Sequence, residues 1–250
     1  MINITISIVS HGQISLVYNL LEDLNNQDHD NIPHEIIITI NTPEDFSLIS
    51  KFENLNIVII ENEICKGFGE NHNFAFLQSK SDYFCIVNPD IRILSLGFNN
   101  LISQLSSECK IIAPLVLSPN GTIEDSFRKY PSILNLFTRH IGKKKEPDYE
   151  LNDMPICVDW IAGMFMLVKS NHFRNIRGFD EKFFMYLEDV DICKRTYSDG
   201  GVVIVDPREK VIHDARRASF KSFQHLKWHI LSLIRFLLIK PIMKFFRGYS

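Results

Sequence analysis

Three carboxylates crowd the start of a predicted helix and are the first candidates for chemistry. Glu188, Asp189 and Asp191 follow an aromatic run within the segment 178–195. One interpretation is an acidic first turn that complements the helix dipole. The other is that one carboxylate faces a cleft as a general base while its neighbour positions a substrate hydroxyl. Because adjacent helical residues point about 100° apart, Glu188 and Asp189 cannot share one role.

The turn Asn88-Pro89-Asp90, which follows the apolar run 83–87, is the second candidate. It can be an ordinary turn at the end of a strand. Alternatively, the hard oxygens of Asp90 can hold a divalent cation, with diphosphate oxygens in the remaining coordination positions. His213 offers a nitrogen ligand to the same cation, although the chain has nine histidines and spacing alone does not settle the pairing.

A glycine-rich turn, Gly67-Phe68-Gly69, opens a predicted helix that continues through Asn73 to Gln78. Its spacing is neither G-x-G-x-x-G nor a P-loop, so it does not indicate a dinucleotide or nucleoside-triphosphate site. The glycines allow the backbone to approach a ligand closely, or serve only a tight turn.

A sheet must position these residues. Short β-branched runs alternate with helical periodicity, which predicts an α/β fold with helices on both faces of the sheet. The predicted strands are 2–9, 35–40, 56–60, 83–87, 111–117, 158–168 (entering a helix near Ser170) and 202–205, and a helix is predicted over 188–198. Ser10, Asn41 and Asn88 lie at strand ends, where open α/β sheets bind ligands.

Composition and charge limit the classes of function that the chain can have. The chain has 250 residues, 45 % of them hydrophobic and 23 % charged, which excludes wholesale disorder, collagen and coiled coil. The net charge of −3 combines +8 over residues 215–250 with −11 over residues 1–214. We therefore predict a main domain over 1–214 and a basic amphipathic helical segment over 215–250, and no nucleic-acid binding by the chain as a whole.

The five cysteines are scattered and lack metal-ligand spacing. They predict small core residues in a reducing compartment, without disulfides or a zinc site. The first residues read as a β-strand without the basic region of a signal peptide, which predicts a cytoplasmic protein.

Taken in order along the chain, several segments resemble the family 2 glycosyltransferases of GT-A fold. The closest similarity is to bacterial rhamnosyltransferases that build O-antigen and related cell-surface polysaccharides. The segments that carry the resemblance are 8–12, 67–73, 88–91, 128–131, 158–168, 178–195 and His213.

The resemblance implies an inverting, metal-dependent transfer of a sugar from a nucleoside-diphosphate donor to an acceptor hydroxyl. Asp90, with His213, would hold Mg²⁺ or Mn²⁺ against the diphosphate, and Asp189 would be the general base, with Glu188 as the alternative. The implied donor-binding residues are Ser10, Asn41, Gly67, Gly69, Asn73, Asn88 and Asp90, and those of the donor-sugar or acceptor pocket are Trp160, Gly163 and Tyr186.

One departure concerns the second strand, which usually ends in Asp-Asn in this family but ends in Ile40-Asn41 here. An isoleucine cannot accept a hydrogen bond. Nucleotide recognition would then rest on Ser10, Asn41, the Gly67 turn, Glu44 or Asp45. The resemblance implies dTDP-L-rhamnose as donor. The alternatives are a UDP-hexose, galactofuranose or N-acetylhexosamine donor, or a catalytically silent protein that binds nucleotide sugar or partner enzymes at the membrane.

The basic carboxyl-terminal segment is rich in apolar residues over 220–246. Its longest charge-free run, 228–234, is far shorter than the roughly 20 residues that a bilayer span needs. It is either a core helix followed by a basic tail or an interfacial helix on anionic lipid. Acceptors in the resembled family are often polyprenyl-diphosphate-linked sugars. This favours a peripheral protein on the inner face of the cytoplasmic membrane, with a nucleotide-sugar donor and a glycan or polyprenyl-diphosphate-linked acceptor; a homodimer is an open alternative.

Overall fold

The computed structural model describes residues 2–28, 33–130, 148–214 and 223–238. The strands are β1 (Ile2–Ser10), β2 (Pro33–Ile40), β3 (Ile57–Glu61), β4 (Tyr83–Val87), β5 (Ile91–Arg92), β6 (Cys109–Leu117), β7 (Phe127–Arg128), β8 (Ile156–Cys157), β9 (Trp160–Ile161), β10 (Phe165–Lys169) and β11 (Val202–His213). The helices are α1 (Ile14–Asn25), α2 (Phe68–Gln78), α3 (Phe98–Gln104), α4 (Ser170–Asn175), α5 (Glu188–Ser198) and α6 (Phe223–Leu238), with a 3₁₀ helix at Ser47–Lys51.

A mixed sheet forms the centre of the fold. Over the described residues its strand order is β3-β2-β1-β4-β10-β6-β11-β5, with β8 also paired to β11. The first four strands in this order are mutually parallel, and β6 pairs in parallel with β11. Strand β10 runs antiparallel between β4 and β6. This confirms the predicted α/β class, and the carboxyl ends of β1, β2, β3 and β4 lie along one edge.

Two apolar layers cover the sheet because its buried strands direct alternate side chains to opposite faces. On one face, Ile36 and Ile38 pack in the cluster that includes α1 and α3 side chains such as Leu20 and Phe98. On the other, Ile37 packs with residues of α2, α4 and α5, Phe173 of α4 among them. Packing between these two layers holds the sheet in place, and the candidate site residues follow the ends of its strands.

A buried polar contact anchors α2 on the sheet. The Nδ1 atom of His72 lies 2.8 Å from the hydroxyl oxygen of Ser7 on β1. Burial lowers the pKa of His72 to about 3, so the imidazole is neutral. The contact holds the amino end of α2, which begins after Gly67, in a fixed position beside the sheet.

Two predicted strands differ from the observed ones. The segment 158–168 is divided, because Trp160–Ile161 pairs with Phe127–Arg128 in a separate two-stranded sheet before β10 begins at Phe165. Strand β11 continues to His213 rather than ending at residue 205, since a register irregularity between Asp206 and Lys210 accommodates the polar stretch. This extension carries His213 towards Asp90.

The cysteine prediction is confirmed in part. All five thiols are free, and Cys85, Cys109 and Cys193 are buried in the core. Cys65 and Cys157 are exposed, so their prediction as core residues is wrong. Cys65 follows β3 in a surface loop, and Cys157 lies on the short strand β8 beside β11.

The carboxyl-terminal helix α6 is amphipathic. Trp228, Ser232 and Arg235 contact the segment 180–185, whereas Leu226 and Ile230 are about half exposed. Within the described ranges, no helix combines the length and apolar character that a bilayer crossing requires. The rest of the predicted segment, residues 215–222 and 239–250, lies outside the described residues.

Candidate active site

An Asp–His pair joins the end of β4 to the end of β11. The Oδ2 atom of Asp90 lies 3.2 Å from Nε2 of His213, and the Asp214 amide donates to the Asp90 carbonyl at 2.8 Å. Burial opposes the charged imidazolium, but the Asp90 carboxylate outweighs it and raises the pKa of His213. The structure therefore brings together two predicted metal ligands that lie far apart in the sequence.

The donor set of this pair fits a divalent cation. Asp90 Oδ1 and His213 Nδ1 are buried and have no hydrogen-bond partner among the described residues. Carboxylate oxygen and imidazole nitrogen are both ligands of Mn²⁺-type ions. No group of three or more His, Cys, Asp or Glu side chains suited to a metal occurs within the described part of the chain.

A short backbone segment connects the Asp90 turn to the acidic helix. The Asn88 amide donates to the Met164 carbonyl at 2.9 Å, and the neighbouring Gly163 amide donates to Asp189 Oδ2 at 3.3 Å. A Cβ on Gly163 would lie 2.8 Å from the ring of Phe68, so only glycine fits there without a shift. Gly163 thus has a packing role, and the backbone at 163–164 links Asp189 to the turn that holds Asp90.

The two acidic residues at the start of α5 differ in exposure and in ionisation. Glu188 is only 6 % exposed and its Oε2 atom has no partner among the described residues, whereas Asp189 is partly exposed. Burial, together with the charge of Asp189, raises the pKa of Glu188 well above its usual value. Burial raises the pKa of Asp189 to about 6. Glu188 therefore stays protonated while Asp189 ionises near neutral pH, which favours Asp189 as the group that accepts a proton.

The residues just before α5 adopt an uncommon backbone. Tyr186 and Leu187 have φ values of 73° and 66°, the left-handed region that non-glycine residues rarely occupy. The Phe68 amide donates to the Phe184 carbonyl at 2.9 Å, and a Cβ on Gly67 would lie 2.7 Å from that carbonyl oxygen. The lack of a side chain at Gly67 therefore lets the α2 turn brace the segment that presents the acidic pair.

Two more residues of the predicted donor set also contact this segment. A Cβ on Gly69 would lie 2.6 Å from Cβ of Phe179. The Asn73 amide group donates to the Phe179 carbonyl and accepts from the Phe179 amide, both at 2.9 Å. The observed contacts of Gly69 and Asn73 are thus structural, and their direct role in donor binding stays a prediction.

The end of β2 is a network of amide side chains. The oxygen Oδ1 of Asn41 accepts from Asn62 Nδ2 and from the Lys66 amide, both at 2.9 Å. Asn62 also donates to Asn71 Oδ1 at 2.7 Å, and Asn71 donates to the Gly67 carbonyl. Sequence reasoning missed Asn62 and Asn71, although Asn62 follows β3 directly and the strand-end rule that selected Asn41 also applies to it.

The acidic residues suggested as replacements for the missing aspartate have local partners. Glu44 accepts from the Gly12 and Ile14 amides at 3.2 and 2.8 Å, and Asp45 accepts from the Ser47 amide at 2.9 Å. Ile40 itself is 2 % exposed within the core. The backbone contacts of Glu44 stabilise the loop that enters α1.

The remaining predicted residues lie around the same edge. Ser10 is fully buried at the end of β1 and its hydroxyl accepts from the Gln13 amide. Trp160 is partly exposed, and its indole donates to the Lys129 carbonyl at 3.1 Å. Tyr186 lies 2.7 Å, measured from its hydroxyl oxygen, from His225 Nδ1 on α6. The participation of α6 was not foreseen, because nothing in the sequence pairs residue 186 with residue 225.

This arrangement has the groups that a sugar transfer needs: a carboxylate–imidazole pair that fits a cation, and a largely buried carboxylate with a raised pKa that is joined to the pair by one backbone segment. Solved structures with the same fold are glycosyltransferases. One is GalNAc-T7 with UDP, GalNAc and Mn²⁺ (TM-score 0.68, 13 % identity, 86 % of this chain and 44 % of that chain). Another is the mannosyltransferase PcManGT from Pyrobaculum calidifontis in complex with GDP-Man and Mn²⁺ (TM-score 0.64, 15 % identity, 93 % of this chain and 64 % of that chain). The fold is that of the GT-A glycosyltransferases.

Sequence relatives identify the family within this class. The chain is 30 % identical over 252 residues to the rhamnosyltransferase WbbL of Escherichia coli K12, covering 95 % of this chain and 94 % of that protein. It is 26 % identical over 168 residues to the N-acetylglucosaminyl-diphospho-decaprenol L-rhamnosyltransferase of Mycobacterium tuberculosis H37Rv, covering 62 % of this chain and 55 % of that protein. No family model matches. The chain belongs to the family 2 rhamnosyltransferases, as its resemblance indicated.

Proposed function

We propose that the protein transfers L-rhamnose from dTDP-L-rhamnose, with inversion, to a hydroxyl of a lipid-linked glycan. The observation that carries this proposal is the linkage from the Asp90–His213 pair through the Asn88–Met164 and Gly163–Asp189 hydrogen bonds. This linkage supports the proposal because it joins Asp90 and His213 to Asp189 through the one backbone segment 163–164. The names of the relatives, a rhamnosyltransferase and an N-acetylglucosaminyl-diphospho-decaprenol L-rhamnosyltransferase, support a rhamnosyl donor and a lipid-linked acceptor.

The proposed reaction uses the chain's own residues as follows. The carboxylate of Asp189 accepts the proton of the acceptor hydroxyl as that oxygen bonds to the anomeric carbon. The bond between the anomeric carbon and the diphosphate oxygen breaks on the opposite face, so the configuration inverts and nucleoside diphosphate leaves. Protonated Glu188 keeps a second negative charge away from Asp189, which leaves Asp189 free to ionise near neutral pH.

Asp90 and His213 would hold Mg²⁺ or Mn²⁺ beside the donor diphosphate. Such a cation, when bound, neutralises the negative charge that grows on the leaving group. The fit rests on the buried, unpartnered Asp90 Oδ1 and His213 Nδ1 among the described residues. The raised pKa of His213 implies that the pair binds a proton when no cation is present, so cation binding would weaken as the pH falls.

The acceptor requires access to a lipid surface, and α6 offers one. Leu226, Ile230 and Ile234 of this helix are 54, 48 and 49 % exposed. Residues 215–250 carry eight Lys or Arg and no Asp or Glu. Exposed apolar side chains on a helix within a positively charged segment favour peripheral binding to the anionic inner face of the cytoplasmic membrane.

The test is donor hydrolysis and binding across a panel of nucleotide sugars, with Mn²⁺ or Mg²⁺ and with EDTA. We expect cation-dependent preference for dTDP-L-rhamnose, and Asp90→Asn should lose most of the cation dependence. Asp82→Asn is the matched control, since Asp82 is an exposed carboxylate that precedes β4 at the opposite end of the sheet.

The other outcomes discriminate the alternatives. Preference for a UDP-sugar would be consistent with the proposed mechanism but would contradict the proposal that L-rhamnose is the transferred sugar. Failure to bind any donor would contradict the proposal and favour a catalytically silent protein, with Ile40 in place of the usual aspartate as its cause.

A further inference from the structure

The side chains of α6 fall into three strips along the helix. An inner strip contacts the segment that precedes the acidic pair: Ser232 donates to the Met185 carbonyl at 2.8 Å, Trp228 packs on Phe184 with ring centroids 4.7 Å apart, and Arg235 pairs with Asp180. Ser232 is only 4 % exposed, so this strip is closed against the body of the protein. The helix is thereby fixed next to the site.

The second strip is a pair of histidines, which we call the imidazole ridge: His225 and His229, one helical turn apart. Nδ1 of His225 lies 2.7 Å from the Tyr186 hydroxyl oxygen. The His229 ring stacks on Tyr186 with centroids 5.0 Å apart, and His229 is exposed. Tyr186 precedes Asp189 by three residues, so the ridge borders the segment that presents the base candidate.

The third strip is an apolar stripe, defined by Leu226, Ile230, Ile234 and Leu237. These side chains are 44–54 % exposed. With about 100° between successive residues, Leu226, Ile230 and Leu237 point roughly 100–140° from His225, and His229 lies about 40° from His225 on the same side. The imidazole ridge therefore separates the catalytic segment from the apolar stripe.

We propose that the imidazole ridge binds the diphosphate of a polyprenyl-diphosphate-linked acceptor while the apolar stripe contacts its isoprenoid chain; this rests on the proposed function. The order of chemistry across the surface is carboxylate, imidazole, hydrocarbon. The order along such an acceptor is sugar hydroxyl, diphosphate, hydrocarbon. On the side of α6 that carries the apolar stripe, the N–H groups of His225 and His229 lie between that stripe and the segment that leads to Asp189.

The charge distribution supports an anionic ligand at the ridge. Imidazole N–H groups donate to phosphate oxygens, and bonds to charged acceptors are the stronger ones. Residues 215–250 contain no acidic residue to oppose a diphosphate.

The experiment measures calorimetric binding of farnesyl diphosphate to the full chain in EDTA, which keeps a cation-dependent donor site out of the titration. We expect the double variant His225→Gln, His229→Gln to bind about tenfold or more weakly, from the loss of charge-assisted bonds. His229→Gln alone removes an exposed side chain and should weaken binding with the fold intact. The matched control is His34→Gln, an exposed histidine at the start of β2 that should leave the affinity unchanged.

Three results would overturn the site. The first is equal affinity in the wild type and the His229 variant. The second is farnesol binding as tightly as farnesyl diphosphate, which would show that the diphosphate is not recognised. The third is an equal loss of binding by the variants to phosphatidylglycerol vesicles without any diphosphate, which would show a general lipid surface. The nucleotide-sugar panel tests the proposed transfer separately, so failure of either proposal can be recognised on its own.

Discussion

Two groups of polar side chains near the carboxyl ends of the strands differ in their hydrogen bonding. We call them the donor-side edge (Asn41, Asn62 and Asn71) and the catalytic edge (Asp90, Glu188, Asp189 and His213), after their proposed roles. On the donor side, Asn41, Asn62 and Asn71 bond to one another and to the 66–67 backbone. At the catalytic edge, Asp90 Oδ1, Glu188 Oε2 and His213 Nδ1 are buried without partners among the described residues. An unpaired buried polar group costs about 1–3 kcal/mol. The three amide side chains thus satisfy one another, whereas the three groups proposed for ligand binding or reaction keep atoms without a hydrogen-bond partner among the described residues.

The largest expected effect is at the base candidate. Asp189→Asn should lower the transfer rate by about 10²–10⁴-fold, the usual contribution of a general base, with donor binding nearly unchanged. The free energy of unfolding at pH 8 should rise, because the amide does not place a charge in a buried position. Rate, donor affinity and urea denaturation check the three statements.

The control for this change is Asp199→Asn at the other end of α5, where the carboxylate is exposed. It should leave the rate unaltered. Normal turnover by the Asp189 variant would show that Asp189 is not the base. The proposed difference in function between the two edges would then lose its main support.

The pH profile gives the next largest effect. The pKa of Asp189 is raised to about 6, so kcat/KM should fall roughly tenfold per pH unit below that value as the carboxyl becomes protonated. The unfolded state ionises this group near its ordinary value of 3.8, while the folded state keeps the proton up to about 6. Its contribution to stability therefore falls as the pH rises through this window. A rate that stays level down to pH 5 would contradict the assignment.

A smaller effect is expected where the two edges meet. In Gly67→Ala the new Cβ would lie 2.7 Å from the backbone oxygen of Phe184, so the free energy of unfolding should fall by about 1–3 kcal/mol. Activity should fall with it, because the displaced segment leads directly to Glu188. Gly97→Ala is the control: its Cβ would meet the amide end of Asn100 and the carboxylate end of Glu209, which are the far ends of side chains and can shift. Equal losses in both variants would show that Gly67 has no special role.

The smallest effect belongs to the donor-side network. Asn62→Ala removes the bonds to Asn41 and Asn71, and should lower the free energy of unfolding by about 1 kcal/mol per bond. The KM for the donor should rise with little change in kcat, since the network positions the 66–67 backbone and lies outside the catalytic pair. Asn56→Ala, which loses one exposed bond to the His34 carbonyl, provides the comparison. A large fall in kcat of the Asn62 variant would contradict the assignment of donor binding and catalysis to different edges.

Much of this fold follows from local pattern in the sequence. β-Branched runs identified β1, β2 and β4, and helical periodicity with a glycine stop identified α5, because local propensity and burial agree in these elements. Strand β9 was not separated from β10 because its partner, Phe127–Arg128, is remote in sequence. The extension of β11 was missed because Asp206 and Pro207 resemble a strand end, and a register irregularity absorbs them.

The residues of the candidate site were more predictable from the sequence than their ionisation and their long-range contacts. Asp90, His213 and Asp189 were selected by resemblance and residue chemistry, and the structure brings them to one edge. The ionisation order of Glu188 and Asp189 was not predictable, because it depends on burial that adjacent sequence positions cannot reveal. The contacts of Tyr186 with His225 and His229 are long-range pairs for which a single sequence carries no signal.

The antiparallel strand β10 has a consequence for synthesis of the chain. Strand β4 ends at residue 87, but its neighbour in the sheet begins only at Phe165, and β6 also pairs with that strand. During translation the parallel strands β1–β4 are complete while the side of β4 that receives β10 is still uncovered, and uncovered strand edges invite association with other chains. A nascent chain whose translation has stopped near residue 130 should therefore bind a ribosome-associated chaperone more strongly than a nascent chain that already includes β11.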